Sequence, residues 1–314
     1  MQKIYLTQPD GRFGPVSEIS DGAWVSLVDP TSDEINAIAT RFEVDPDDLR
    51  APLDVEERSR ITAEHGYVMI LVDVPTTEER GKRSWFVTIP LGIVITSKAI
   101  ITVCLERVSV ITDFESERVR DLRTYMKTRF ILQLLMGIAG SYMTTLRQID
   151  KMIDKTEVNL RRSTRNEELV EMLELEKSLV YISTSLVSNQ RVMERLVRTP
   201  AVKKYPDDDE LLQDTIIENE QAIEMSSIYS NILSGTMDAY ASVIANNQNA
   251  IMKTLALVTI VLSIPTMIFS AYGMNLNSHG MPLTDSYWGF GIIVGISFLL
   301  SILVTLYFIG KRWF

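Results

Sequence analysis

Two stretches near the end of the chain, residues 254–272 and 288–309, are predominantly apolar and hold no acidic or basic side chain. A hydrocarbon core of about 30 Å needs roughly 20 such residues at ~1.5 Å rise per residue, so both predict membrane-spanning helices. Lys253 stands just before the first and Lys311-Arg312 just after the second, whereas the link 273–287 has no Lys or Arg. Basic flanks remain on the cytoplasmic side, which places both termini in the cytoplasm of a multi-pass protein of the cell (inner or plasma) membrane. Tyr287, Trp288, Tyr307, Trp313 and Phe314 flank the second stretch, where aromatic rings favour the headgroup zone.

Upstream the hydrophobic period changes. Residues 24–30 read as a strand stopped by Pro30, and Thr31-Ser32-Asp33-Glu34 as a capping box opening a helix to about Phe42. Strands rich in Val, Ile and Leu follow at 67–74, 86–95 and 100–105, separated by turn-forming or charged segments such as 76–83 and 96–98. From about Asp113 apolar positions recur every three or four residues, over 130–161 and again over 165–197, which predicts two long antiparallel helices. Residues 199–209, with Pro200, Pro206 and three aspartates, break that pattern before a new helix near Asp209.

From Glu210 to Tyr272 the only proline is Pro265, inside the membrane, where neighbouring helices satisfy the backbone it frees. Continuous, this stretch makes a rod of roughly 95 Å at ~1.5 Å per residue. No small domain covers such a rod, so its faces need partners, most simply copies of itself. The expected class is α+β, in six parts: a cytoplasmic α/β domain (1–111), a cytoplasmic helical hairpin (112–209), a stalk helix continuing into the first span (210–272, membrane part about 254–272), an extracytoplasmic link (273–287), a second span (288–309) and a basic tail (310–314).

Charge narrows the partners. Three of the 31 basic and one of the 41 acidic residues lie after position 250, leaving a net −12 on residues 1–250. A body of that sign excludes a nucleic-acid footprint and makes cations the natural counterpart, although most single carboxylates merely solubilise. The single cysteine, Cys104, excludes a disulfide framework and fits a reducing compartment, and the N-terminus has no signal-peptide pattern. No phosphate-cradling glycine loop, paired histidines or nucleophile motif points to an enzyme, and no organic cofactor is expected.

Counting back from Gly273 by alternate steps of three and four gives Ser270, Thr266, Ser263, Thr259, Ala256, Met252, Asn249, Ala245, Ser242 and Asp238. That 3.5-residue period belongs to helices packed around a common axis. Nearly all polar side chains of the first span share this one stripe. Ser and Thr at such positions also serve close helix packing or bond their own i−4 carbonyls. Continuation of the stripe past the membrane as Asn249, Ser242 and Asp238 favours a hydrated axis.

Tyr272-Gly273-Met274-Asn275 after the first of two C-terminal spans, Met281-Pro282 shortly beyond, and the terminus Lys311-Arg312-Trp313-Phe314 resemble the CorA family of divalent-cation channels. Residues 24–30, the run Leu53-Asp54-Val55-Glu56-Glu57-Arg58-Ser59-Arg60 with Tyr67-Val68 after it, and Gln148-Ile149-Asp150 with Ile153-Asp154 resemble family segments in the same order, so the likeness covers essentially the whole chain. The resemblance implies a homopentameric funnel in lipid, its first spans lining one pore that passes Mg²⁺, with Co²⁺ and Ni²⁺ as further cargo. It makes Gly273, Met274 and Asn275 the selectivity filter. Mg²⁺ dehydrates reluctantly, so neutral oxygens facing its waters suit a hydrated ion.

The same likeness puts Asn249, Met252, Leu255, Thr259, Ser263, Thr266 and Ser270 on the pore wall, with Met252 and Leu255 as the constriction, and Asp238 in an inner acidic ring. It matches Asp214 to a regulatory Mg²⁺ ligand facing an acid of the next subunit; Glu78 is the expected partner, with Asp73 or Glu79 as alternatives. Asp214 also reads as an ordinary stalk-surface acid. High cytoplasmic Mg²⁺ would hold the subunits in the closed arrangement, by differential affinity for the two states.

Two departures stand out. The link lacks the acids that many relatives place beside Met-Pro, leaving Asp285, and it carries His279, which five-fold repetition around a mouth would make a candidate ligand for a softer metal. Ser263 occupies a level where relatives often carry an apolar ring. A zinc or other transition-metal transporter of the same superfamily, and a nonconducting membrane sensor or scaffold, are the alternative functions.

Overall fold

The computed structural model describes residues 2–8, 10–80, 83–162, 166–199, 208–275, 281–283 and 286–311. They form two compact units, Met1–Met237 and Asp238–Phe314.

The first unit is built on one mixed sheet of seven strands: β1 (Gln2–Thr7), β2 (Phe13–Pro15), β3 (Ala23–Val28), β4 (Arg60–Ala63), β5 (Tyr67–Arg80), β6 (Arg83–Thr96) and β7 (Ala99–Cys104), in the order β2-β1-β3-β7-β6-β5-β4. β3 and β7 pair in parallel and the other neighbours antiparallel. Every residue of β3 and β7 is buried, as a central parallel pair covered on both faces requires. Alternate side chains serve the two faces. Val25, Leu27, Ile101 and Val103 pack with Ile35 and Ile38 of α1 (Ser32–Phe42) and Leu49 of α2 (Pro46–Arg50). On the other side Trp24 meets Phe114 of α3 (Ser109–Glu115) and Phe130 of α4 (Lys127–Arg162), with ring centroids 6.1 and 5.3 Å away, and its indole N–H donates to Thr102 Oγ1 at 2.9 Å.

The capping box is present: Thr31 Oγ1 accepts from the Glu34 amide at 3.2 Å and Glu34 returns a carboxylate oxygen to the Thr31 amide at 2.9 Å. That bond to Thr31 holds the Glu34 carboxyl below its usual range. The hairpin β5–β6 is longer than its sequence predicts. The segment 76–83, expected to separate strands, carries the ladder on, pairing Thr76 with Val87, Thr77 with Phe86 and Glu78 with Trp85. β-Branched and aromatic partners on β6 hold that arm in the sheet even though Glu78 and Glu79 face outward. The strands β1, β2 and β4 are additions that the sequence pattern did not yield.

α5 (Asn166–Val197) lies beside α4 and is followed by α6 (Asp208–Tyr272), one unbroken helix of 65 residues that runs through Pro265. Within the first unit α6 buries Leu212, Ala222 and Leu233, and Asn219 Nδ2 donates to the Leu186 carbonyl and to Gln190 Oε1 on α5 at 3.1 and 2.9 Å.

The second unit holds the rest of α6 and α7 (Gly289–Gly310). Gly289, Ser297 and Ser301 are its buried positions on α7, and Ser301 Oγ donates to the Val261 carbonyl of α6 at 3.3 Å. Small residues let two helices approach without an apolar driving force. In the most apolar window of α6 and α7 only 6% and 11% of residues are buried, the reverse of a soluble core helix.

Candidate membrane pore

α6 ends where the tripeptide begins. The Gly273 amide closes the helix by donating to the Phe269 and Ser270 carbonyls at 2.9 and 3.2 Å, and Gly273, Met274 and Asn275 then stand exposed. Tyr272, the last helical residue, turns its hydroxyl to the Pro282 carbonyl at 3.1 Å and so ties the far side of the link to the start of the tripeptide. Leu283 adopts φ 66°, and its carbonyl oxygen lies 2.0 Å from where a Cβ on Gly289 would stand. Only glycine fits there. Tyr272 was read from the sequence as the first residue of the motif, without this tether, and Gly289 was not singled out, although a glycine opening the second span was visible. His279 and Asp285 lie outside the described residues.

The 3.5-residue stripe, and Leu255 beside it, are exposed along a single chain. Asn249, Met252, Leu255, Thr259, Ser263, Thr266 and Ser270 all lie open, with Met252 68% and Leu255 65% accessible. A shallow groove of about 730 Å³ runs along Thr259, Ser263, Thr266 and Ser270 to Met274. The hydroxyls are already bound to their own helix: Thr259 donates to the Leu255 carbonyl at 2.9 Å, Ser263 to Ile260 at 2.8 Å and Thr266 to Leu262 at 2.8 Å. Back-bonding of this kind serves a polar group in hydrocarbon, and it also leaves the oxygen lone pairs facing outward. Asp238, at the other end of the stripe, is exposed too.

In the first unit Asp214 is exposed on α6 beside the buried Leu212 and Thr215, and Glu78 is exposed on the outer arm of β5. No group of three or more His, Cys, Asp or Glu suited to a metal occurs among the described residues of the single chain. Asp73 is placed differently from Glu78. Its backbone is clamped by Asn189 of α5, which accepts from the Asp73 amide at 2.9 Å and donates to its carbonyl at 2.8 Å. Burial raises its carboxyl pKa, and the Ser185 and Ser59 hydroxyls offset that only in part. Asp73 thus joins β5 to the helical layer, a poor place from which to reach a neighbouring subunit. Cys104 is no nucleophile either, since burial pushes its thiol up to about 12.

Residues 20–312 match the family described as CorA-like Mg²⁺ transporter protein. Among curated proteins the chain is similar to the cobalt/magnesium transport protein CorA of Methanocaldococcus jannaschii, 25% identical over 92% of this chain and 90% of that one. It is likewise similar to the protein of the same name from Thermotoga maritima, 22% identical over 95% and 85%. Among solved structures the complete CorA magnesium transporter of M. jannaschii superposes with a TM-score of 0.85 at 23% identity, covering 100% of this chain and 99% of that one. The full-length CmaX protein gives 0.68 at 14% identity over 99% and 96%, a likeness of fold alone. The chain belongs to the CorA-like Mg²⁺ transporter family.

Proposed function

We propose that the chain assembles as a homopentameric channel of the cell membrane, both termini cytoplasmic, that conducts Mg²⁺ and also Co²⁺ and Ni²⁺. The observation that carries this reading is the open stripe on α6, polar inside the apolar span and continued by Asn249 and Asp238 beyond it. In a lone helix such a stripe faces lipid at a cost; around a five-fold axis it faces water. The names of the M. jannaschii and T. maritima relatives support the cargo.

Five Asn275 carboxamides, with the Gly273 and Met274 carbonyls, accept hydrogen bonds from the waters of a hydrated Mg²⁺ and select it without stripping its shell. Tyr272, through Pro282, positions that ring. Met252 and Leu255 close the path by dewetting when their rings narrow. Asp238 concentrates cations below them. Cytoplasmic Mg²⁺ bridging Asp214 to Glu78 of the adjacent subunit favours the closed arrangement, and its loss lets like charges push the subunits apart. The carboxylates accept Mg²⁺ through its waters, so weak, reversible binding suits a sensor.

Uptake of Mg²⁺, Co²⁺, Ni²⁺ and Zn²⁺ into liposomes holding purified protein tests this. Asn275→Ala should lower Mg²⁺ flux by at least about tenfold, as loss of roughly 1.4 kcal/mol of stabilisation at the filter predicts. Unchanged Mg²⁺ flux would reject the filter assignment. Zinc flux without magnesium flux would instead support the transition-metal reading, which rests on His279.

A further inference from the structure

Pro265 carries no amide hydrogen, so the carbonyl four residues before it, that of Val261, loses its partner within α6. In a hydrocarbon span a bare carbonyl has no water to turn to, and some other group must donate to it. Ser301 of α7 does so. Its side chain is buried and its Oγ lies 3.3 Å from the Val261 oxygen, the one carbonyl of the first span that the proline orphans.

Ser301 has one hydrogen and two acceptors within reach, the second being the Ser297 carbonyl of its own helix at 3.1 Å. Distance favours Ser297 slightly; need favours Val261. At the i−4 position of α7 the Ser297 carbonyl already accepts the Ser301 amide, whereas the Val261 carbonyl has no amide to accept. The bond is made within one chain. Val261, Ile264, Pro265 and Ile268 form a half-buried face of α6, while Thr259, Ser263 and Thr266 lie exposed on another, so the contact needs no second copy.

We infer that Ser301 is a positioning residue: its hydroxyl replaces the amide hydrogen missing at Pro265 and latches α6 to α7 where the first span lacks a backbone hydrogen bond. Pro265 lies ten residues after Leu255 and eight before Gly273. Helices kink at such prolines, and a bend there displaces the tripeptide relative to the constriction. Under the channel reading, on which this consequence rests, the latch fixes where Gly273, Met274 and Asn275 stand. When the Ser301 hydrogen turns to Ser297, the hinge is free.

Val261-Leu262 is the only Val-Leu step in the chain, so carbonyl-¹³C valine combined with ¹⁵N leucine gives one selected carbonyl signal, read by solid-state NMR on the full-length protein in lipid vesicles. In Ser301→Ala that signal should move upfield as its hydrogen bond is lost. Pro265→Ala puts an amide hydrogen back, and adding Ser301→Ala in that background should leave the signal where it is, which a mere packing role of Ser301 does not predict. Mg²⁺ flux is the second readout. Ser301→Ala should lower it about fivefold, the factor that one net hydrogen bond predicts, and should cause no further loss once residue 265 is alanine. A Val261 signal that ignores Ser301→Ala, or that moves equally in both backgrounds, overturns the proposal. A signal that moves while flux stays native overturns the positioning role. Absence of Mg²⁺ flux from the native chain, with the signal moving as expected, rejects the channel reading and supports the latch.

Discussion

Trp24 and Met252 are both large apolar side chains, and one is wholly buried while the other is 68% exposed. Trp24 sits in a layered core whose two faces are closed by helices of the same chain. Met252 belongs to a unit in which the chain alone covers almost nothing. The first unit is therefore specified by its own contacts, and the second by surroundings that one chain does not supply, which under the proposed function are lipid and further copies. The same hydrophobic effect that folds one region leaves the other unfinished in isolation.

The largest effect that tests this contrast is Trp24→Ala. Removing a buried aromatic and the Thr102 hydrogen bond should destabilise the first unit by about 3–5 kcal/mol, seen in denaturant unfolding followed by circular dichroism. A native-like midpoint would mean that the layered core does not hold this unit together. Next in size is Asp214→Ala, which should raise the internal Mg²⁺ concentration that halves flux by at least about fivefold, the lower end of typical coupling energies. Shut-off at the native concentration would return Asp214 to an ordinary surface acid.

A smaller effect comes from Asp73. Its folded pKa lies above the unfolded value near 3.9, so it favours the fold at low pH, and that contribution is lost as pH rises through the raised value. Near neutral pH the buried carboxylate is a cost. Asp73→Asn should then raise the melting temperature by about 2 °C at pH 7.5, the gain shrinking as pH falls toward about 4. A gain independent of pH would point to packing instead of charge. Smallest is Leu255→Ala, expected to move the stability of the first unit by no more than ~0.5 kcal/mol while letting ions leak at high internal Mg²⁺. A large loss of stability there would erase the distinction between the two regions.

Much of this was legible along the chain. Period and capping located α1, the long helices and both spans, because each is decided by neighbours three or four residues apart. The outer arm of β5–β6 was not, because Glu78 and Glu79 look like a loop until Trp85 and Phe86 are brought opposite them. The short edge strands β1, β2 and β4 depend on partners far away in sequence. At the site, the stripe and the tripeptide were readable from spacing and likeness. The tether from Tyr272 to Pro282, the close approach of Leu283 to Gly289 and the clamp of Asn189 on Asp73 were not, since each is a contact that exists only after folding.

The hydroxyls of Thr259, Ser263 and Thr266 have spent their hydrogens on their own helix. What such a surface presents is acceptors alone. Water against it must point hydrogens at the protein and oxygen away, which is the orientation of the shell around a cation and the opposite of the shell around an anion. Under the proposed channel reading, a wall built this way would favour cations over anions at these three levels while carrying no charge there on which a divalent ion would stall.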